Sequence, residues 1–451
     1  MASTFCPQMF FKTKKIDSIP SEENARNKSE KPFADQVIDL YETCLQNALI
    51  ISTSFRGIIK NKLDSKRRLI HAIYILVLAG YVFPRYSILC LLYFKDEKTQ
   101  KYWSFWMANY FDQLGLFGKV TNFAYAIFSI TMTIDNLYMF TFESKGKMEY
   151  LTNFETLREK QARRSKRMMM EILGKKERKS LLVDIKKKLV FLRMAIKVQV
   201  CSNYLYDIMS CSLFIYNERP PLIVALIGIL NVIIIVGILY YVVSSLLTSY
   251  TSYILTAGYF SARIDYMMTV VKQIVWNDKY VIRVLFLYNH LMMDLERQDY
   301  LLKYLLRTLI YSYNFGLSII FVLFTIQFNP FLRVMLLTAV TVLSLAMLTS
   351  GLYVGHLNTK IMILYLEMHA LVARHSLQGI KQVSYKTRRV LLNCIKELGS
   401  QQVDGQFVLG FRGGHGAAIS SLEMFKLTLS TISSTLLLLD FMNGSLAGTN
   451  S

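Results

Sequence analysis

Proline is scarce in this chain, with seven in 451 residues, and acid is scarcer than base, with 31 Asp and Glu against 52 Lys and Arg. So few prolines exclude Pro-rich linkers between soluble domains. Charged residues make up 18% of the sequence while 53% are hydrophobic, so the apolar residues gather in long uncharged stretches. That pattern marks a membrane protein. The six cysteines (Cys6, Cys44, Cys90, Cys201, Cys211 and Cys394) include no CxxC and no metal-ligand spacing. They read as reduced thiols packed in helices, with Cys90 and Cys211 the one pair open to a bridge near the outer face. The six histidines form no HExxH, and no Ser/His/Asp or Cys/His set falls on one side of a membrane. An enzyme is not expected, and no cofactor is implied. No short apolar core followed by a small-residue cleavage site opens the chain, so the first span is expected to target the protein itself.

Lipid offers no hydrogen-bond partners, so spanning backbone must be helical or a closed barrel, and these runs are too long for barrel strands. Seven helical candidates follow: 69–93, 120–142, 189–216, 222–247, 306–328, 331–356 and 419–442. The fourth is the clearest, with "LIVALIGILNVIIIVGILYYVV" free of charge. The expected fold class is therefore an all-α membrane protein with seven transmembrane helices.

The formal charge of +21 raises nucleic acid as a partner, but its distribution argues against one. Lys and Arg number 12 in residues 1–68, 15 in 143–188, six in 257–305 and eight in 357–418. The alternate connections hold four (Lys95, Lys98, Lys101, Lys119) and one (Arg219), and the C-terminal tail none. Positive residues stay in the cytoplasm, which puts the N-terminus inside and the C-terminus outside. The segment "REKQARRSKRMMMEILGKKERK" then reads as a cytosolic loop facing solvent or lipid headgroups. Seven helices in this orientation are the reverse of a G-protein-coupled receptor.

A span needs about 20 residues. From Leu222 to Ala262 there are 41 residues without a charge, and the excess carries hydroxyls and tyrosines. The next connection repeats apolar residues at helical spacing (Val284, Leu287, Leu291, Leu295, then Leu301, Leu302, Leu305), as do "IMILYLEMHALVARH" and "TRRVLLNCIKEL". Several membrane helices are expected to continue into the cytosol and pack on one another there. "GFRGGHG", residues 410–416, lacks the Lys-Ser/Thr ending of a phosphate loop and reads as a joint before the last span. Asn443-Gly-Ser is a glycosylation acceptor close to the membrane.

This organisation resembles the insect gustatory receptor family, seven-helix chemoreceptors related to insect odorant receptors. The likeness covers the whole chain as architecture: inverted topology, a long basic loop between spans two and three, and extended helices before a short final span. "GYVFP", Gly80 to Pro84, is similar to a glycine–aromatic–proline pattern of the first span. The family's C-terminal signature is Thr-Tyr, five apolar residues, then Gln-Phe. In the matching window "SSTLLLLDF", Phe441 agrees, while Ser433 stands for Thr, Ser434 for Tyr and Asp440 for Gln.

The resemblance implies a plasma-membrane, ligand-gated cation channel opened by an extracellular tastant. Four subunits, alike or related, would surround a pore lined by the seventh helix and meet through a cytosolic anchor domain. The corresponding division is a cytosolic N-terminal region 1–68 and a six-helix bundle 69–356, with basic loop 143–188 and extension 248–305. Anchor helices and joint 357–418, a pore helix 419–442 and an external tail 443–451 follow.

Within the last span, Thr428, Thr431 and Thr435 share one helical face, and Ser430, Ser433 and Ser434 widen it. Around a shared axis, such a face gives a hydrated lining, and Asp440 at the outer end gives an acidic ring that concentrates cations. The bland alternative is hydroxyls bonded to their own backbone and small residues promoting helix packing. The expected pore-lining set is Thr428, Thr431, Ser434, Thr435 and Asp440.

Intramembrane acids are few: Asp135 in span two and Asp207 in span three. Asp207 lies in the outer half beside Tyr204 and Tyr206, with Arg85 as a candidate partner, and either binds ligand or forms a structural pair. Asn122, Tyr125, Asn231 and Gln327 fall at similar depth and complete the candidate ligand set with Arg85, Tyr204 and Asp207. Trp103 and Trp106 read as interfacial anchors. A secondary transporter is the alternative from another class, but no repeat relates the two halves. A non-conducting, receptor-like membrane protein is the third.

Overall fold

The structure is a computed structural model. It describes residues 32–60, 62–158, 172–272, 280–281, 283–295, 297–298 and 330–377, with residues 318, 385, 389, 392–393, 402–403, 406–407, 433 and 437. The helices are α1 (Phe33–Asn47), α2 (Phe55–Ile59), α3 (Ser65–Leu92), α4 (Glu97–Trp106), α5 (Leu116–Ser144), α6 (Lys175–Glu218), α7 (Leu222–Lys272) and α8 (Pro330–Leu377). Residues 283–295 are also helical, and one antiparallel pair, Gln402–Val403 with Gln406–Phe407, is extended. The described fold is thus all-helical but for that pair. The fifth and seventh expected spans lie outside the described residues, except for Ser318 and for Ser433 and Leu437.

Local chemistry places the helix ends. Asp64 caps α3 by accepting from the Lys66 and Arg67 amides, and Asp96 caps α4 by accepting from the Thr99 amide. Helix α6 stops at Arg219, whose φ is +42°, immediately before Pro220 and Pro221. Two prolines cannot continue a helix, so the chain reverses and α7 packs beside α6.

Helix α3 contains a π-helical turn at Leu78–Val82, where the Phe83 amide reaches back to the Leu78 carbonyl. Pro84 explains it. A proline ring crowds the carbonyl four residues earlier and supplies no N–H, and the wider turn relieves both. The "GYVFP" stretch is therefore a helix irregularity.

Helices α6, α7 and α8 run 44, 51 and 48 residues. At 1.5 Å per residue each is roughly 65–77 Å long, about twice a bilayer core. Their excess length packs. The larger apolar cluster draws on α1, α2, the 3-10 segment Lys147–Leu157, the first half of α6 and residues 243–271 of α7. Residues 281–295 and 354–368 complete it. The periodic residues Val284, Leu287, Leu291 and Leu295 are all buried. A smaller cluster joins α3, residues 108–111, the middle of α5, the end of α6 and the first part of α7.

Ion pairs stitch the larger cluster. Arg263 of α7 reaches Asp294 at 2.6 Å, Lys360 reaches Asp265 at 2.5 Å, and Lys272 reaches Glu367 at 3.2 Å. At its other edge, Arg158 contacts Asp39 at 2.6 Å and Glu155 at 2.5 Å, and the Ser52 amide and hydroxyl both donate to Glu143. Cys90 and Cys211 are free thiols, so the bridge considered between them is not formed. Two helices among the described residues, α3 and α7, are long and apolar enough to cross a membrane.

Candidate functional site

Asp207 is fully buried on α6. The Tyr125 hydroxyl of α5 donates to both its oxygens, at 3.1 and 3.2 Å. Aromatic rings pack on Tyr125 and on the neighbouring Tyr206. Tyr86 of α3 stacks on Tyr125 at 4.9 Å between centroids, 17° from parallel. Phe111 lies against Tyr125 at 5.7 Å and against Tyr206 at 5.6 Å, within 18° and 16° of parallel. The Tyr206 hydroxyl meets Thr121 at 3.1 Å.

Phe111 comes from the connection between α4 and α5, which dips into the bundle. Ala108, Asn109, Tyr110 and Phe111 are all buried. Ala108 adopts φ +47° and Gly115 φ +58°, the left-handed region that ordinary side chains avoid. Gly118 is required by contact: a Cβ there would stand 1.8 Å from the Phe111 carbonyl oxygen. The α5 N-terminus can approach the connection only because that carbon is missing.

Two polar clamps hold the connection in. The Arg85 guanidinium donates to the Met107 carbonyl at 2.7 Å and the Ala108 carbonyl at 3.3 Å. The Asn122 amide donates to Asn109 Oδ1 at 3.2 Å and to the Tyr93 hydroxyl.

The expected ligand residues are thus divided. Tyr125, Asp207 and Asn122 gather in one polar layer. Arg85 joins it by holding the connection, in place of the expected pairing with Asp207, because the carbonyls at the end of α4 lie in its reach. Asn231 of α7 is buried and accepts from the Tyr81 hydroxyl. Tyr204, nearly one turn earlier on α6 and so closer to residues 181–200, packs on the larger apolar cluster instead. Gln327 and the proposed lining residues Thr428, Thr431, Ser434, Thr435 and Asp440 lie outside the described residues.

Sequence reasoning missed Phe111, Tyr86, Thr121 and Asn109. Their signal was compositional only: "YVFPRY" and "MANYFDQLG" are dense in rings and amides, with no periodicity to aim them. Asp135, the second acid expected within a span, is buried on α5 with Oδ2 unpartnered among the described residues, and beside it Asn136 bonds His71 at 3.1 Å.

Chemically, the layer offers one carboxylate, several hydroxyls and the faces of stacked rings. Such a set recognises hydrogen-bond donors and cations through charge and ring quadrupoles.

No protein-family model and no curated protein sequence matches the chain. Among solved structures, it is similar to the insect olfactory receptor OR5 from Machilis hrabei, with a TM-score of 0.61 and 10% identity over 90% of this chain and 98% of that one. The same receptor in complex with eugenol matches with a TM-score of 0.60 and 9% identity, over 91% and 98% of the two chains. At that identity the likeness is one of fold: this chain shares the all-helical architecture of an insect olfactory receptor along nearly its whole length.

Proposed function

We propose that the protein is a plasma-membrane chemoreceptor of the insect gustatory type, a cation channel opened by an extracellular small molecule. The observation that carries this is the fold shared with an insect olfactory receptor over nine-tenths of the chain. A second support is the surface of the smaller cluster. Leu222, Ile223, Leu226, Ile229, Leu230 and Ile233 stand exposed along the start of α7, as do Leu69, Ile73, Leu76 and Leu91 along α3. In water each such side chain would cost about 1–2 kcal/mol relative to burial, and in lipid it would cost nothing. Phe123, Ile130 and Ile134 of α5 and Phe191, Met194 and Leu205 of α6 present similar faces.

In this proposal seven helices cross with the N-terminus inside, and the larger cluster is a cytosolic anchor through which four copies or related subunits meet. The Asp207 layer receives the ligand. The hydroxyl stripe from Thr428 to Thr435 lines the pore and Asp440 rings its outer mouth. No catalysis and no cofactor belong to this mechanism.

The test is whole-cell recording from cells expressing the chain, challenged with a small-molecule panel that starts from eugenol. A ligand-evoked cation current, with conductance lowered by Asp440→Asn, is expected. Absence of any current, alone or with related subunits, would favour a non-conducting membrane protein. Substrate flux with ion coupling would favour a transporter.

A further inference from the structure

We propose that the Asp207 site takes a small protonated aralkylamine, whose ring replaces Phe111 and whose ammonium meets the carboxylate. The inference deepens the chemoreceptor proposal and rests on it.

Three observations converge. First, Asp207 has no cationic partner among the described residues: its hydrogen bonds come from Tyr125, and Arg85 is committed to the Met107 and Ala108 carbonyls. A carboxylate buried in this way is costly until a counter-charge or proton arrives. Second, the neighbourhood is aromatic. Tyr125, which bonds the carboxylate, stacks on Tyr86 and Phe111, and Phe111 stacks on Tyr206; the negative face of such a ring favours a cation. A neutral ligand would use only the hydrogen bonds, whereas an ammonium uses the charge and the rings together.

Third, the protein already places an aromatic group where the ligand's would go. Phe111 stacks on Tyr206 and on Tyr125, whose hydroxyl holds the carboxylate, so the slot it fills takes an aromatic ring, and it belongs to no α-helix. It is carried on a connection strained at Ala108 and held by the Arg85 and Asn122 clamps. Such a side chain withdraws without unwinding any transmembrane helix. A phenyl ring joined by a short alkyl chain to an amine reproduces both the occupant of the slot and the missing charge.

The experiment measures equilibrium binding of 2-phenylethylamine and of 2-phenylethanol to the full chain in lipid nanodiscs. The two probes share a skeleton and differ in charge. The amine is expected to bind at least tenfold tighter, Asp207→Asn to bring the ratio near one, and Phe111→Leu to tighten the amine severalfold by vacating the slot. The wild-type ratio and Phe111→Leu decide the matter even if Asp207→Asn fails to fold. Equal binding of the two probes, binding of neither, or an unchanged ratio in folded Asp207→Asn overturns the inference. Currents evoked by neutral compounds with no amine preference would overturn it while leaving the chemoreceptor proposal standing. Amine-selective binding without any current would do the reverse.

Discussion

Tyr125 holds both carboxylate oxygens of Asp207 with a single hydroxyl, at 3.1 and 3.2 Å, across the contact of α5 and α6. Removing that donor leaves a buried acceptor unpaired, which costs about 1–3 kcal/mol. Tyr125→Phe is therefore expected to lower the unfolding free energy by about 2 kcal/mol. Asp207→Asn in the Tyr125→Phe background should then cost less than it does alone, because the pair acts as a unit. A double-mutant cycle by thermal unfolding in detergent checks the non-additivity.

Gly118 sets the approach of α5 to the inserted connection. Gly118→Ala forces a carbon to within 1.8 Å of the Phe111 carbonyl oxygen, so backbone must move. Overpacking of this kind costs about 1–3 kcal/mol. Proteolysis between residues 107 and 115 should become faster, whereas Gly80→Ala, at a position with open space, should leave it unchanged.

Arg158 neutralises Glu155 and Asp39 where α1 meets the 3-10 segment Lys147–Leu157. Its side chain and that of Glu155 are almost wholly buried, so Arg158→Ala removes the buried cation and leaves Glu155 only the exposed Arg56 as a partner. About 3 kcal/mol of stability should be lost. Arg56→Ala, whose side chain is 63% exposed and meets the same Glu155, should cost well under 1 kcal/mol. Chemical unfolding of the two variants separates them.

The contact of α7 with residues 283–295 should respond to pH. His290 sits 2.9 Å from Asp294, and that hydrogen bond raises the imidazole above its usual 6.5 despite burial. Burial pushes Asp294 upward, but His290 and Arg263 together outweigh it and hold the carboxyl below its usual 3.8. The histidine's share of stability is thus complete below about pH 6.5 and is lost as pH rises through its raised value. The aspartate's share is present above about pH 4 and is lost as pH falls through its depressed value. His290→Ala should flatten the alkaline limb of a stability–pH curve and leave Arg263–Asp294 to carry the acid limb.

Much of the helical architecture was legible because burial repeats at helical spacing: Val284, Leu287, Leu291 and Leu295 point inward as their periodicity requires. The 41-residue uncharged run was also readable as excess length. Residues 222–233 present open apolar faces and residues 243–260 are almost wholly enclosed, so two environments share one composition. The candidate site was legible in part. Asp207 and Tyr125 stood out as polar groups inside apolar helices. Phe111 and Asn109 did not, because a connection has no period and its inward dip depends on a missing Cβ at Gly118 and a left-handed Ala108. Arg85 was noticed but paired wrongly, since charge alone does not reveal a nearer set of backbone carbonyls.

The most direct test of the central claim is cysteine substitution at Thr431 and Thr435, probed with a membrane-impermeant thiol reagent applied from outside during a ligand-evoked current. The channel proposal predicts block of both variants at rates that rise when the ligand is present, with the wild type unaffected. Failure of the reagent to reach either cysteine in a conducting channel, or reaction that leaves the current unchanged, would contradict it.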